Sequence, residues 1–182
     1  MRIIVGVTGA SGVQYAYALL QNLREHDVDL VISEDAKKVI AHETDLTAKA
    51  FEKLAAHAYA NGDTTAPLSS GSHRFDAMVV IPCSMGTLGK VAWGISDNLI
   101  TRAAAVALKE KRKLILVPRE TPLAATHLEN MLKLANQGAI VLPAMPGFYH
   151  EPKSIDDLVH FVVGKVMDQL GIEHALFKRW RE

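Results

Sequence analysis

Five short segments of this sequence place polar or charged residues directly after an apolar run. They are Thr8-Gly9-Ala10-Ser11-Gly12, Ser33, Cys83-Ser84-Met85-Gly86-Thr87, Arg119-Glu120 and the "PGFYH" of residues 146–150. Glycine and hydroxyl residues at a helix start suit an anion, because free backbone N–H groups and the positive end of the helix dipole face it. An arginine beside a glutamate adds a forked cation for phosphate and a carboxyl that can exchange a proton with it. Arg102 and Lys109 lie seven residues apart, hence near one face of an Ala-rich helix. The chemistry on offer is phosphate capture combined with proton transfer.

Each of these features has a purely structural alternative. Ser11, Ser33 and Ser84 are also good helix N-caps. Arg119 and Glu120 also fit a surface ion pair, and residues 111–113 fit a solvated face. Cys83 reads first as a packing thiol. The first loop runs G-x-x-G-A-S-G from Gly6 and lacks the G-x-G-x-x-G spacing of a dinucleotide site. The eight histidines show no H-E-x-x-H spacing and the one cysteine has no cysteine partner, so no metal is expected.

The positioning elements follow from the apolar periodicity. Residues 3–7, 28–32, 77–81, 114–117 and 139–142 are short aliphatic runs, so five buried strands are expected, with Pro82 and Pro118 ending two of them. Helices are expected from Ser11 or Gly12, from Ser33 to about His42, and over 47–60, 98–111, 123–136 and 155–170. Strands alternating with helices predict an α/β fold, a mainly parallel sheet with helices on both faces. In such sheets ligands bind outside the carboxyl ends of the strands, where the five polar segments fall.

The 182 residues suffice for one domain, 1–182, with a tail from about 171. Twenty basic and twenty acidic residues balance, so neither nucleic acid nor a membrane surface is an expected partner. The five-residue apolar run near the start is too short for a signal peptide, and no stretch reaches the length of a membrane span. A single cysteine fits a reducing, cytoplasmic setting.

In their order and spacing, "GVTGASG", "ISEDAKKVIAHETD", "PCSMGTLGKVAWGISDNLITRAAAVALKE", "LVPRETPL", "HLENMLKL" and "PGFYHEPKSIDDLVHFVVGKV" resemble the flavin prenyltransferases of the UbiX family, from Arg2 to about Gly171. The resemblance implies a Rossmann-like three-layer α/β/α sandwich and a homododecamer with FMN bound between subunits. It implies transfer of the dimethylallyl group of dimethylallyl phosphate to N5 and C6 of reduced FMN, without a metal. The prenylated FMN would serve a separate decarboxylase, often in ubiquinone synthesis. By the same resemblance Gly9, Ala10 and Ser11, then Ser33, then Ser84, Met85, Gly86 and Thr87, then Arg119 are expected to bind the flavin. Arg102, Lys109, Arg119, Tyr149 and Lys165 are expected around the prenyl phosphate. Ser11, Glu43, Lys109 and Glu120 are expected to carry the catalytic steps.

The chain also departs from the pattern it resembles. Thr64 or Thr65 stands where some carry a tryptophan, and Lys165 stands where others have arginine, keeping the charge and losing the fork. The related cysteine decarboxylases have P-A-S-x-N-T where this chain has "PCSMGT", and a histidine where spacing here gives Leu68. The competing expectations are an FMN-dependent decarboxylase of an aromatic acid and a non-catalytic flavin carrier.

Overall fold

The computed structural model describes residues 1–181. Six strands form one parallel sheet: β1 (Arg2–Val7), β2 (Asp27–Ile32), β3 (His57–Ala60), β4 (Ala77–Cys83), β5 (Lys113–Pro118) and β6 (Ile140–Val141). Their order is β3-β2-β1-β4-β5-β6. The helices are α1 (Val13–Asn22), α2 (Glu34–Glu43), α3 (Ala48–Glu52), α4 (Met85–Ala92), α5 (Leu99–Lys109), α6 (Ala125–Asn136) and α7 (Ile155–Leu170).

Successive residues of a strand point to opposite faces, and β1 shows the result. Ile3, Val5 and Val7 pack with Leu19 of α1, Ile40 of α2, Phe51 of α3 and Val162 of α7. Ile4 packs on the other side with Leu88 of α4, Ile100 and Ala103 of α5 and Leu134 of α6. The expected three-layer α/β architecture is therefore present, with a core on each face of the sheet.

Two expectations are corrected. The helix expected over 47–60 stops at Glu52, and His57–Ala60 is a sixth strand paired with Asp29–Ile32. Ala-rich "HAYA" favours helix locally, but the open edge of β2 offers a full row of backbone partners and overrides that propensity. Pro82 does not end its strand: β4 runs on to Cys83, with a register shift between Val80 and Cys83 where the proline N–H is missing.

From β1 the chain winds outward to β2 and β3, then returns to β4 beside β1 and winds outward the other way. The crevice at the carboxyl ends of β1 and β4 is the topological switch point, the usual ligand position in open parallel sheets. Beyond the left-handed Gly171 that caps α7, the tail folds back, placing Phe177 on Phe161 (4.9 Å) and Trp180 on Tyr149 (5.3 Å).

Candidate functional site

Three strand-end loops meet at the switch point. Buried Thr8 donates through Oγ1 to the Pro82 carbonyl at 2.7 Å and accepts the Ser84 N–H at 2.8 Å. Ser84 caps α4, accepting the Thr87 N–H at 3.2 Å and donating to the Thr87 hydroxyl at 3.0 Å. The Arg119 N–H donates to the Cys83 carbonyl at 3.3 Å, which brings the β5 end alongside.

The second helix joins from the β2 side. Ser33 donates its N–H to the Val7 carbonyl at 2.9 Å and caps α2 by accepting the Ala36 N–H at 3.1 Å. A Cβ on Gly9 would lie 2.6 Å from the Asp35 Cβ, so only glycine admits the first turn of α2 so close. At the far end of α2, Glu43 reaches back and accepts the Gly12 N–H at 2.8 Å.

Ser11 is not a cap. The N-cap of α1 is Gly12, in the left-handed region at φ 97°, with no side-chain cap bond. Among the described residues the Ser11 hydroxyl has no hydrogen-bond partner, so it is free for a ligand.

Charge separates the helix starts. The first turn of α2 carries Glu34 and Asp35, which pair with Lys37 and Lys38 and repel an anion. The first turns of α1 and α4 hold no acid. The N–H groups of Met85 and Gly86 open α4 and have no acceptor within it. Half-buried Arg119 adds positive charge close to Tyr15: burial pushes that phenol up, and the Arg119 charge opposes it. Burial pushes the Cys83 thiol up to about 12, so it stays protonated at neutral pH and is no nucleophile.

The remaining expected residues lie elsewhere. Exposed Glu120 sits at the rim, where its Oε1 accepts the Thr121 N–H at 3.1 Å. Arg102 donates from Nε to the Ser69 carbonyl at 2.9 Å. Tyr149 packs edge-on against Phe161 (5.7 Å) and Trp180. Lys165 donates to Asp168 at 3.0 Å. Burial opposes the Asp168 charge, but hydrogen bonds from Arg179, Lys165 and His174 outweigh it and hold that carboxyl at about 2.

Lys109 ends α5 and pairs with Glu110 at 2.7 Å, just before β5 begins at Lys113. Arg119 follows the other end of that strand, on the order of 20 Å away for six residues. Lys165 lies one helical turn before Gln169, whose carbonyl is bound by Lys113 at that same lower edge. Lys109, Arg119 and Lys165 therefore do not converge on one phosphate within a single chain. Helices that return antiparallel to the strands carry their last residues to the amino edge of the sheet. One chain brings together Gly9, Ala10, Ser11, Ser33, Glu43, Ser84, Met85, Gly86, Thr87 and Arg119, with Glu120 beside them.

The family pattern described as Flavoprotein matches residues 1–167. A flavin prenyltransferase UbiX from Thermoplasma acidophilum is 57% identical over 180 residues, spanning 99% of this chain and 100% of the relative. The chain belongs to the UbiX family of flavin prenyltransferases. Among solved members, a dodecameric FMN-dependent UbiX-like decarboxylase from Escherichia coli O157:H7 superposes with a TM-score of 0.98 at 49% identity, covering 100% of both chains. AnUbiX (PadA1), solved with FMN and dimethylallyl pyrophosphate, superposes with a TM-score of 0.97 at 42% identity, covering 100% of this chain and 97% of the other. As a UbiX-family enzyme the chain is a flavin prenyltransferase that uses FMN.

Proposed function

We propose that the protein transfers the dimethylallyl group of dimethylallyl phosphate to N5 and C6 of reduced FMN, making prenylated FMN for a partner decarboxylase. The observation that carries this is the pair of acid-free helix starts, with the free Ser11 hydroxyl and Arg119–Glu120 beside them. These donors suit a phosphate monoester: N–H groups and hydroxyls face it with no carboxylate in the helix turns that hold them. The solved relative holding FMN together with a prenyl donor supports the same reading. Bound reduced FMN supplies an electron-rich nucleophile.

The residues divide the remaining work. Gly9, Ala10, Ser11, Ser33, Arg119 and the segment from Ser84 to Thr87 hold the flavin. Allylic C–O cleavage leaves its electron pair on phosphate, which takes a proton from Glu120. Lys109, Arg102, Tyr149 and Lys165 supply charge and a hydroxyl to that phosphate. Ser11 and Glu43, joined through the backbone of Gly12, stand beside the reacting flavin edge to relay protons.

Because Lys109 and Lys165 lie at the opposite edge of their own sheet, we assign their contribution to a neighbouring copy in a homo-oligomer, a dodecamer as in the Escherichia coli relative. Trp93, Ile95, Leu128 and Leu132 form an exposed apolar surface, with Leu132 63% exposed. Trp93 is held in place by a hydrogen bond to Asn130 at 2.9 Å and by Lys133 over its ring at 3.5 Å. Leu132→Glu is expected to shift the assembly to smaller species in light scattering at micromolar concentration. A parent-sized particle would place the interface elsewhere.

The whole chain acts as one flavoprotein domain. Among the described residues no helix is long and apolar enough to cross a membrane. We place the protein in the cytoplasm, where its buried thiol stays reduced.

The flavin site is tested by titration. Ser84→Ala/Thr87→Ala is expected to weaken FMN binding by about tenfold or more, since it removes two hydroxyls from a charge-assisted site. Anaerobic incubation with reduced FMN and dimethylallyl phosphate should then raise the flavin mass by one prenyl group. Unchanged flavin mass, with carbon dioxide released from an aromatic acid instead, would establish the decarboxylase reading.

A further inference from the structure

We infer that Thr8 is a positioning residue for flavin binding, setting the spacing between the first and third strand-end loops through one hydroxyl. The inference rests on the phosphate position proposed above. The β1–β4 ladder ends at the pair Gly6 and Val80, two residues short of the loops. Pro82 has no N–H to extend it. Thr8 fills the gap: its N–H reaches the Pro82 carbonyl at 3.3 Å, and its Oγ1 reaches the same carbonyl at 2.7 Å.

A hydroxyl has one proton to give. The Ser84 N–H at 2.8 Å must donate to Oγ1, so that proton goes to Pro82 and the polarity of the pair is set. Thr8 is 2% exposed, so bulk water cannot replace either contact.

The consequence reaches both phosphate-binding loops. With its N–H taken by Thr8 and its hydroxyl turned to Thr87, Ser84 is pinned, and the N–H groups of Met85 and Gly86 are left without an acceptor inside α4. Thr8 itself leads directly into Gly9-Ala10-Ser11. One side chain therefore registers the two helix starts against each other, which a bidentate hold on a phosphate requires. Loss of the hydroxyl leaves the part-buried Ser84 N–H unpaired and the buried Pro82 carbonyl with only the longer bond from the Thr8 N–H, and the loops separate to hydrate them.

Four variants test this by FMN titration and steady-state kinetics on the full-length protein. Thr8→Val keeps the shape and is expected to raise the FMN dissociation constant at least tenfold, with KM for reduced FMN rising more than kcat falls. Thr8→Ser restores the hydroxyl and is expected within threefold of the parent. Thr101→Val removes an equally buried hydroxyl from the α5 cap, outside the first and third strand-end loops, and is expected to lower the Tm while keeping the parent FMN affinity. Thr8→Ala replaces Thr8→Val if the latter does not fold. Parent affinity in Thr8→Val or Thr8→Ala overturns the inference, as does an equal loss of affinity in Thr101→Val. Ser84→Ala/Thr87→Ala, run alongside, separates the two ideas. If it also binds at parent affinity, the phosphate position itself is wrong; if it weakens while Thr8→Val does not, only the role of Thr8 falls.

Discussion

Glu120→Gln is expected to bind FMN like the parent and to prenylate it about 10²–10⁴-fold more slowly, the usual cost of losing a general acid. The reasoning starts from one hydrogen bond. Glu120 Oε1 accepts the Thr121 N–H at 3.1 Å, and a glutamine carbonyl accepts it equally well, so the loop after β5 keeps its form. What glutamine cannot do is release a proton to the departing phosphate. The loss should therefore appear in the chemical step under anaerobic single-turnover conditions, with the flavin titration unchanged. Turnover at the parent rate would show that Glu120 serves only to hold the loop after β5 through the Thr121 N–H.

Lys109→Ala is expected to leave FMN binding intact and to cut kcat/KM for dimethylallyl phosphate by about 10²–10³, the scale of losing one charge-stabilising donor. Mixed oligomers give the sharper result. Lys109 and Arg119 lie at opposite edges of one sheet, so the proposed site would take Lys109 from one copy and Glu120 from another. Co-refolding Lys109→Ala with Glu120→Gln in equal amounts should then return about a quarter of parent activity, because one site in four draws both intact residues in a closed symmetric assembly. No recovery above the two separate variants would mean that each site is built from a single chain.

The local parts of the fold were legible in the sequence. Aliphatic runs of strand length identified five of the six strands, and polar residues after those runs located the carboxyl-end loops. Ser33 and Ser84 precede helix-forming stretches and cap them, because a cap needs only a side-chain oxygen and an N–H three residues on. The motif order was also sufficient to identify the family.

Features that depend on distant partners were not legible. His57–Ala60 becomes a strand only because β2 presents an open edge to it, and β4 passes Pro82 because β5 pairs Pro118 with Cys83 beyond it. Ser11 reads as a cap until the left-handed turn at Gly12 moves the helix start one residue on and frees its hydroxyl. Lys109 and Glu120 are near neighbours in sequence, yet a six-residue strand lies between them and sends them to opposite edges of the sheet. Propensity, capping and periodicity act over a few residues and are written in the sequence. Strand order, edge pairing and the meeting of loops depend on which surfaces the packed sheet leaves open, and only the tertiary structure decides that.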